Sequence, residues 1–219
     1  MKVGVVGGTG LVGRKLVAPL EAEGHTALAA SPSTGVDTWT GAGLAEALEG
    51  AAVVVDVSNP PSFDDSLEFF TQSTRNLLAA GEIAGVGHHV ILSIVGIDRI
   101  PGNPYYVAKL AQEEAALAGP IPVTILRATQ FFEFAAGLAA LYGDGAVVRL
   151  SSEPVQPLAV DDVMAELAAL ATGEPAAGSA THELAGPEVL ALDEFVRGVL
   201  SLPGTRGPWL RTQRPILSA

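Results

Sequence analysis

A cluster of glycines follows the first apolar segment and constrains the fold more than any other feature. The apolar segment covers residues 2–6, and Gly7, Gly10 and Gly13 come next at intervals of three. Glycines at this spacing suit a tight strand-to-helix turn, and a helix N-terminus attracts phosphate through its free N–H groups. A plain turn without a ligand is the alternative. We predict that a dinucleotide pyrophosphate is held by Gly7, Thr9, Gly10, Leu11, Val12 and Gly13.

Strand-like and helix-like segments alternate through the first 126 residues. Strands are predicted at 2–6, 26–30, 52–57, 89–95 and 123–126, and helices at 10–23, 43–49, 66–80 and 104–117. The alternation predicts an α/β fold with a Rossmann-like, doubly wound parallel sheet, since such a sheet is covered by helices on both faces. The length of 219 residues suits one domain of this kind.

The pattern loosens after residue 131. Helices are predicted at 131–141, 161–171 and 192–200, and extended segments at 147–150 and 181–184. We predict a single NAD(P)-binding domain over residues 1–200, with a small C-terminal substrate lobe contributed mainly by residues 131–200. Residues 201–219 contain several prolines and no acidic residue, which predicts an irregular tail.

Composition excludes several classes of protein. The chain has no cysteine, which rules out a disulfide scaffold and a cysteine-ligated metal site, and no metal is expected. A net charge of −12 disfavours nucleic-acid partners and anionic membrane surfaces, because both require basic residues. No segment is long and apolar enough for a membrane span or a secretory signal. We expect a cytoplasmic protein whose partner is a small-molecule substrate.

The loop after the second predicted strand bears on the choice of dinucleotide. In NAD-binding proteins an acidic residue at this point binds the ribose hydroxyls, about 20 residues after the glycines. Here the strand ends at Ala30, and the hydroxyl residues Ser31, Ser33 and Thr34 follow. We predict that Ser31 and Ser33 bind the 2′-phosphate of NADP(H), while NAD(H) remains open. Asp37 either faces the nucleotide or is a turn residue.

The chain resembles the short-chain dehydrogenase/reductase superfamily, and more narrowly its atypical, NmrA-like NAD(P)H-binding branch. The similarity spans residues 2 to about 197. The segments that carry it are 7–13, 52–59, 93–96, 105–109, 124–127, 130–132 and 184–188.

Tyr105 and Lys109 form the candidate catalytic pair. They are four residues apart on a predicted helix and therefore share one face. A lysine ammonium beside a phenol is expected to lower the tyrosine pKa, so that the tyrosine can exchange a proton with a carbonyl or alcohol. Ser93 lies near the end of a predicted strand and is expected to bond the same substrate oxygen. The resemblance implies that Lys109 also holds the nicotinamide ribose.

Two features weaken this assignment. Glu113 follows Lys109 by four residues and is the alternative partner for the ammonium group. The helix asparagine of the superfamily is not matched, because Phe70 lies near its position.

The resemblance also implies further cofactor-binding and substrate-binding residues. Ser58, Ala128 and Thr129 are expected to line the cofactor, and Gln130, Phe131 and Phe132 the substrate. For each phenylalanine, packing in the core is the alternative.

These residues predict an enzyme, an NADP-dependent oxidoreductase. It would transfer hydride to or from a small, mostly apolar carbonyl, alcohol or enone. The alternatives are a non-catalytic redox sensor of the NmrA-like kind and a non-redox isomerase or cyclase on the same fold.

One pair of adjacent histidines and one pair of adjacent aspartates are assigned structural roles. His88 and His89 are expected in a surface turn, and Asp161 and Asp162 are expected to cap a helix.

Overall fold

The computed structural model describes residues 1–144, 147–175, 178–202 and 212–213. Its strands are β1 (Lys2–Val6), β2 (Thr26–Ala30), β3 (Ala51–Asp56), β4 (His88–Ile94), β5 (Val123–Ala128), β6 (Val148–Arg149), β7 (Pro154–Val155), β8 (Ala180–Leu184), β9 (Leu190–Ala191) and β10 (Thr212–Gln213). Its helices are α1 (Gly13–Ala22), α2 (Leu44–Leu48), α3 (Ser66–Ala84), α4 (Pro104–Leu117), α5 (Ala135–Leu141), α6 (Val160–Thr172) and α7 (Leu192–Leu200). None of the described helices combines the length and hydropathy needed to span a bilayer.

The chain divides into two compact units. The first contains Met1–Ala128 and Val163–Leu184, and the second contains Thr129–Asp162 and the described residues from Ala185 onward. The expected substrate lobe of residues 131–200 is therefore interrupted by 163–184, which belong to the unit that holds the large sheet.

The sheet of the first unit has six strands in the order β2-β1-β3-β4-β5-β8. Every neighbouring pair is parallel, which confirms the predicted doubly wound α/β fold. The chain moves outward from β1 in both directions, to β2 on one side and to β3 on the other. Ligands of doubly wound sheets bind at such a switch point, outside the carboxyl ends of the strands. Residues that follow β1, β2 and β3 are therefore placed at the expected ligand site.

Helices α2, α3 and α4 cover one face of this sheet. Leu48 of α2 and Leu77 and Leu78 of α3 share a buried cluster with Val54 of β3. Farther along the same face, Ala116 of α4 is buried with strand residues of β4 and β5. The continuous apolar strands predicted from the sequence thus lie in the interior, as expected for a parallel sheet.

The second unit has a smaller core of its own. Helices α5 and α7 are buried together with β6, around Val148, Phe195 and Val196. β7 pairs antiparallel with β9, and β6 pairs parallel with β10. Apart from 212–213, the predicted irregular tail from residue 203 onward lies outside the described residues.

Most predicted elements agree with the structure to within four residues. The larger differences are the start of α1 at Gly13 rather than residue 10, the end of α3 at Ala84 rather than residue 80, and the start of α5 at Ala135 rather than residue 131.

Two expectations about side chains are wrong. His88 and His89 are not in a surface turn: both are buried on β4, because they pair with Val53 and Val54 inside the sheet.

The start of α6 also differs from the expectation. The helix begins at Val160, so Asp161 and Asp162 lie in its first turn rather than at its cap. The carboxylate of Glu133 takes the capping role, since it accepts a hydrogen bond from the Val160 N–H at 3.1 Å.

Candidate functional site

The turn after β1 requires glycine on steric grounds. Gly7 has φ +76°, and a Cβ placed there would lie 2.9 Å from the backbone nitrogen of Ser58, which follows β3. A Cβ on Gly8 would lie 2.6 Å from the Cα of Ala29, and one on Gly13 would lie 2.6 Å from the Cα of Gly8. Backbone atoms of β2, of the segment after β3 and of the start of α1 thus pack closely against this turn. Gly8 was not predicted as a site residue, although the adjacent glycines Gly7 and Gly8 are visible in the sequence.

The turn leads directly into α1. Gly10 N–H donates to the Gly7 carbonyl at 2.9 Å, and Arg14 N–H donates to the Gly10 carbonyl at 3.2 Å. Within the described ranges, the N–H groups of Leu11 and Val12 have no protein acceptor. Among the described residues, a Cβ on Gly10 would meet only the Gly7 carbonyl oxygen, at 3.1 Å. Packing alone therefore requires glycine at position 10 less strictly than at 7, 8 and 13.

Hydroxyl groups gather beside this turn, at the end of β2. Thr9 Oγ1 donates to Ser31 Oγ at 3.1 Å, and the Ser31 and Ser33 hydroxyls lie 3.0 Å apart. Ser33 Oγ also lies 3.4 Å from Thr9 Oγ1. The structure thus brings the predicted residues Thr9, Ser31 and Ser33 together. Asp37 accepts from the N–H groups of Trp39 and Thr40, which supports its interpretation as a turn residue.

Ser58 turns back toward the last residue of β3. Its N–H and its hydroxyl both donate to Asp56 Oδ1, at 2.9 and 2.6 Å. The other carboxylate oxygen of Asp56 accepts from Gln112 Nε2 of α4 at 3.0 Å. Asp56 and Gln112 were not predicted as site residues. The acid inside the apolar segment 51–57 was the available signal, because a buried carboxylate needs partners.

Ser93 is buried near the end of β4. Its Oγ has no hydrogen-bond partner among the described residues. Ser73 and Thr74 of α3 also have buried hydroxyls without a partner among the described residues, so the place of Ser93 near the end of β4, and not the missing partner, marks it as a candidate. This is the position expected for a group that bonds a substrate oxygen.

Tyr105 lies in the first turn of α4, after the capping residue Asn103. Its phenol donates to Asn59 Oδ1 at 2.5 Å, across the loop that follows β3. Burial raises the pKa of Tyr105 to about 12, and Tyr106 adds to the rise. The expected lowering of the tyrosine pKa by Lys109 is therefore not found, and burial, which disfavours the phenolate, is the main effect. Asn59 was not predicted as a partner.

Lys109 lies one turn farther along α4 and is buried. Its ammonium donates to the Leu92 carbonyl at 2.8 Å and to Gln112 Oε1. The ammonium also lies 4.6 Å from the centre of the Phe70 ring. Burial lowers the pKa of Lys109 to about 8, against the raising effects of Asp56 and Glu113. Phe70 contacts Tyr105 as well, with ring centres 5.8 Å apart, so Tyr105 and Lys109 share a face as predicted.

Glu113 does not take the ammonium. Its carboxylate is bound by Arg127 of β5, with Nε–Oε1 at 3.1 Å and Nη2–Oε2 at 2.7 Å. Glu113, the alternative partner for Lys109, therefore forms a bidentate ion pair with Arg127 instead. The Lys109 ammonium instead keeps its bonds to the Leu92 carbonyl and to Gln112 Oε1.

The remaining predicted residues lie at the end of β5 and in the second unit. Ala128 ends β5, and its carbonyl accepts from the Val95 N–H at 3.0 Å. Thr129 donates its hydroxyl to the Gln156 carbonyl, and the Gln130 carbonyl accepts from Leu158. Phe131 is buried and stacks on Phe134 at 5.2 Å, which favours a role in packing.

Phe132 differs from Phe131. It is partly exposed and contacts Phe195 edge-on at 5.6 Å. The cofactor role of Thr129 and the substrate roles of Gln130, Phe131 and Phe132 stay predictions.

Comparison with known proteins places the architecture among solved structures. No protein-family model and no curated protein matches the sequence. MoeE5 in complex with UDP-glucose and NAD is similar at 23% identity, over 98% of this chain and 85% of that chain, with a TM-score of 0.74. A short-chain dehydrogenase/reductase superfamily protein from Agrobacterium tumefaciens with bound NAD is similar at 20% identity, over 98% and 85%, with a TM-score of 0.73.

A third structure combines a lower identity with a higher similarity of fold. The dTDP-4-dehydrorhamnose reductase from Bacillus anthracis in complex with NADP is 15% identical, over 99% of this chain and 85% of that chain, with a TM-score of 0.76. Nothing in these similarities singles out the NmrA-like branch, which stays a prediction. At such identities the comparison establishes architecture, and this chain has the Rossmann-like α/β fold of those structures.

Proposed function

We propose that this protein is an NADP-dependent oxidoreductase that transfers hydride to or from a small, mostly apolar carbonyl, alcohol or enone. The observation that carries the proposal is the glycine turn at the switch point of the sheet. It lies against Ser58 and beside the hydroxyl cluster of Thr9, Ser31 and Ser33.

The residues present fit a dinucleotide. A turn without side chains at Gly7, Gly8 and Gly10 allows close approach of a pyrophosphate to the backbone. The N–H groups of Leu11 and Val12 precede α1, where the helix dipole also favours negative charge. The NAD-bound and NADP-bound structures of the same fold support this choice of cofactor.

The hydroxyl cluster favours NADP over NAD. Ser31 stands at the end of β2 where an acidic residue would repel a 2′-phosphate. Hydroxyl groups donate hydrogen bonds to phosphate oxygens, and Ser31 and Ser33 lie close enough to share one anion. No lysine or arginine lies in the loop 31–35, so these hydroxyls carry the preference alone.

When bound, the dinucleotide supplies or accepts the hydride. Tyr105 gives its phenolic proton to the carbonyl oxygen during reduction and takes a proton from the alcohol during oxidation. Because its pKa is about 12, the phenol is protonated at neutral pH, which suits the donor role. Tyr105 exchanges its bond to Asn59 for one to the substrate. Lys109 stabilises the phenolate by its charge, and the Ser93 hydroxyl orients the carbonyl oxygen.

A redox sensor that binds the dinucleotide without turnover is the second candidate. Two observations favour it. The phenol of Tyr105 is already bonded to Asn59, and its pKa is raised rather than lowered. A proton donor in that state is slower to react, since its conjugate base is harder to form.

Turnover separates the two candidates. NADPH would be mixed with a panel of aldehydes, ketones and enones, and loss of the reduced-nicotinamide absorbance would be followed. We expect Tyr105→Phe to lower kcat by about 10²-fold or more, because the general acid is removed. Tyr106→Phe is the matched control and should retain activity, since Tyr106 has no lysine four residues later. NADPH binding without turnover on any substrate would instead favour the sensor.

A further inference from the structure

Lys109 is the end of a buried polar chain that the proposed reaction does not explain. The chain begins at Asp56, which is 1% exposed, and passes through Gln112, which is also 1% exposed. Gln112 Nε2 donates to Asp56 Oδ2 at 3.0 Å, and Gln112 Oε1 accepts from the Lys109 ammonium. A single amide thus links the carboxylate at the end of β3 to the ammonium on α4.

The chemistry of the two ends fixes the orientation of the amide. An ammonium can only donate and a carboxylate can only accept, so the Gln112 oxygen must face Lys109 and its nitrogen must face Asp56. The second Asp56 oxygen is held by the N–H and hydroxyl of Ser58. Lys109 is held independently by the Leu92 carbonyl at 2.8 Å. Each member of the chain therefore has a determined place.

Charge balance assigns Asp56 to Lys109. A buried ammonium is costly without a compensating negative charge. Glu113, the other nearby acid, also raises the pKa of Lys109, but less than Asp56 does, and its carboxylate is bound by Arg127, which contacts Asp98 at 3.4 Å as well. Burial holds the pKa of His89 at about 4 and that of Tyr105 at about 12, so both are neutral near pH 7. Asp56 is the carboxylate left to balance the ammonium.

We propose that Asp56 and Gln112 are positioning residues for Lys109, holding its ammonium charged and fixed beneath the carboxyl end of β4. The carboxylate acts through the Gln112 amide rather than by direct contact. This inference rests on the proposed function only in assuming that Lys109 stabilises the Tyr105 phenolate during the reaction. The charge and position of Lys109 can be tested without any ligand.

The small number of lysines makes a direct test practicable. The whole protein contains three lysines, Lys2, Lys15 and Lys109. The full-length protein would be labelled with ¹³C at the lysine ε-carbons and titrated by NMR without dinucleotide. Lys109→Met identifies the Lys109 resonance by its loss. Its midpoint in the native sequence should be near 8.

Substitutions at Asp56 and Gln112 are expected to shift the Lys109 midpoint in different directions. Asp56→Asn and Gln112→Met should each lower the Lys109 midpoint, Asp56→Asn by roughly one pH unit, because the compensating charge or its relay is removed. Gln112→Glu should hold the midpoint at or above the native value, since it restores an acceptor with charge. Ser73→Ala, which removes a buried hydroxyl of α3 that has no partner among the described residues, is the control and should not move it.

An unchanged midpoint in folded Asp56→Asn or Gln112→Met would overturn the inference and leave the chain a merely structural feature. If Asp56→Asn does not fold, Gln112→Met and Gln112→Glu decide the question. Failure to bind any dinucleotide would overturn the proposed function while leaving the titration result intact. The two failures are therefore distinguishable.

Discussion

Buried ionisable side chains are the residues whose behaviour depends most on contacts distant in sequence. Asp56, His89 and Lys109 come from three different elements, and Asp56 raises the pKa of both of the others. The sequence identified Lys109 from its spacing to Tyr105. It could not identify the partners of these groups, because the Asp56–Gln112 contact joins residues 56 positions apart. The Tyr105–Asn59 contact was missed for the same reason.

His89 should make the stability of the protein depend on pH in the acidic range. Burial lowers its pKa from the usual 6.5 to about 4, so the unfolded chain binds the proton first as the pH falls. The stabilising contribution is complete above pH 6.5 and is lost as the pH falls toward 4. The expected slope is roughly 1.4 kcal/mol per pH unit inside this window.

Urea denaturation at several pH values between 6.5 and 5 measures this slope. His89→Leu should reduce it, because the buried titrating group is removed. A variant with the same slope as the native sequence would show that His89 does not titrate on unfolding in this range. His88, whose pKa is also lowered by burial, accounts for part of any remaining slope.

At the scale of elements, strand and helix identity follow from the pattern of apolar residues. Strands β1 and β2 and helices α4 and α7 begin and end where the sequence predicted. The exceptions occur where a tertiary contact competes with the local pattern. The closely packed turn delays α1 to Gly13, and Glu133 caps α6 from a separate segment.

The Glu113–Arg127 ion pair should contribute strongly to the attachment of α4 to β5. Glu113 is buried, so Arg127→Met leaves a carboxylate without compensation and should cost about 3 kcal/mol or more. Adding Glu113→Gln should recover part of that loss, because the unpaired charge is removed. Free energies of unfolding from urea titrations of the single and double variants test this.

Arg149 offers a matched control. Its ion pair with Asp144 has a similar distance, 2.9 Å, but both side chains are exposed. Arg149→Met should therefore change the free energy of unfolding by about 1 kcal/mol or less. Equal losses at Arg127 and Arg149, or a double variant no more stable than Arg127→Met alone, would contradict a dominant role for burial.

At the scale of the whole molecule, the doubly wound sheet was predictable and the division into units was not. Alternating elements require a parallel sheet, and its switch point places the residues after β1, β2 and β3 together. The glycine turn and the cluster of Thr9, Ser31 and Ser33 could therefore be located from sequence. Residues 163–184 belong to the first unit because β8 adds to the edge of the sheet beside β5, a pairing without a local signal.

The central claim is that the glycine turn and its neighbouring hydroxyls hold NADP(H). The most direct measurement is a fluorescence titration of the protein with NADPH and, separately, with NADH. We expect saturable binding of both nucleotides or of NADPH alone, with NADPH at least ~10-fold tighter, a difference of about 1.4 kcal/mol. Tighter binding of NADH would contradict the role of Ser31 and Ser33. Binding of neither nucleotide would contradict the proposed function as a whole.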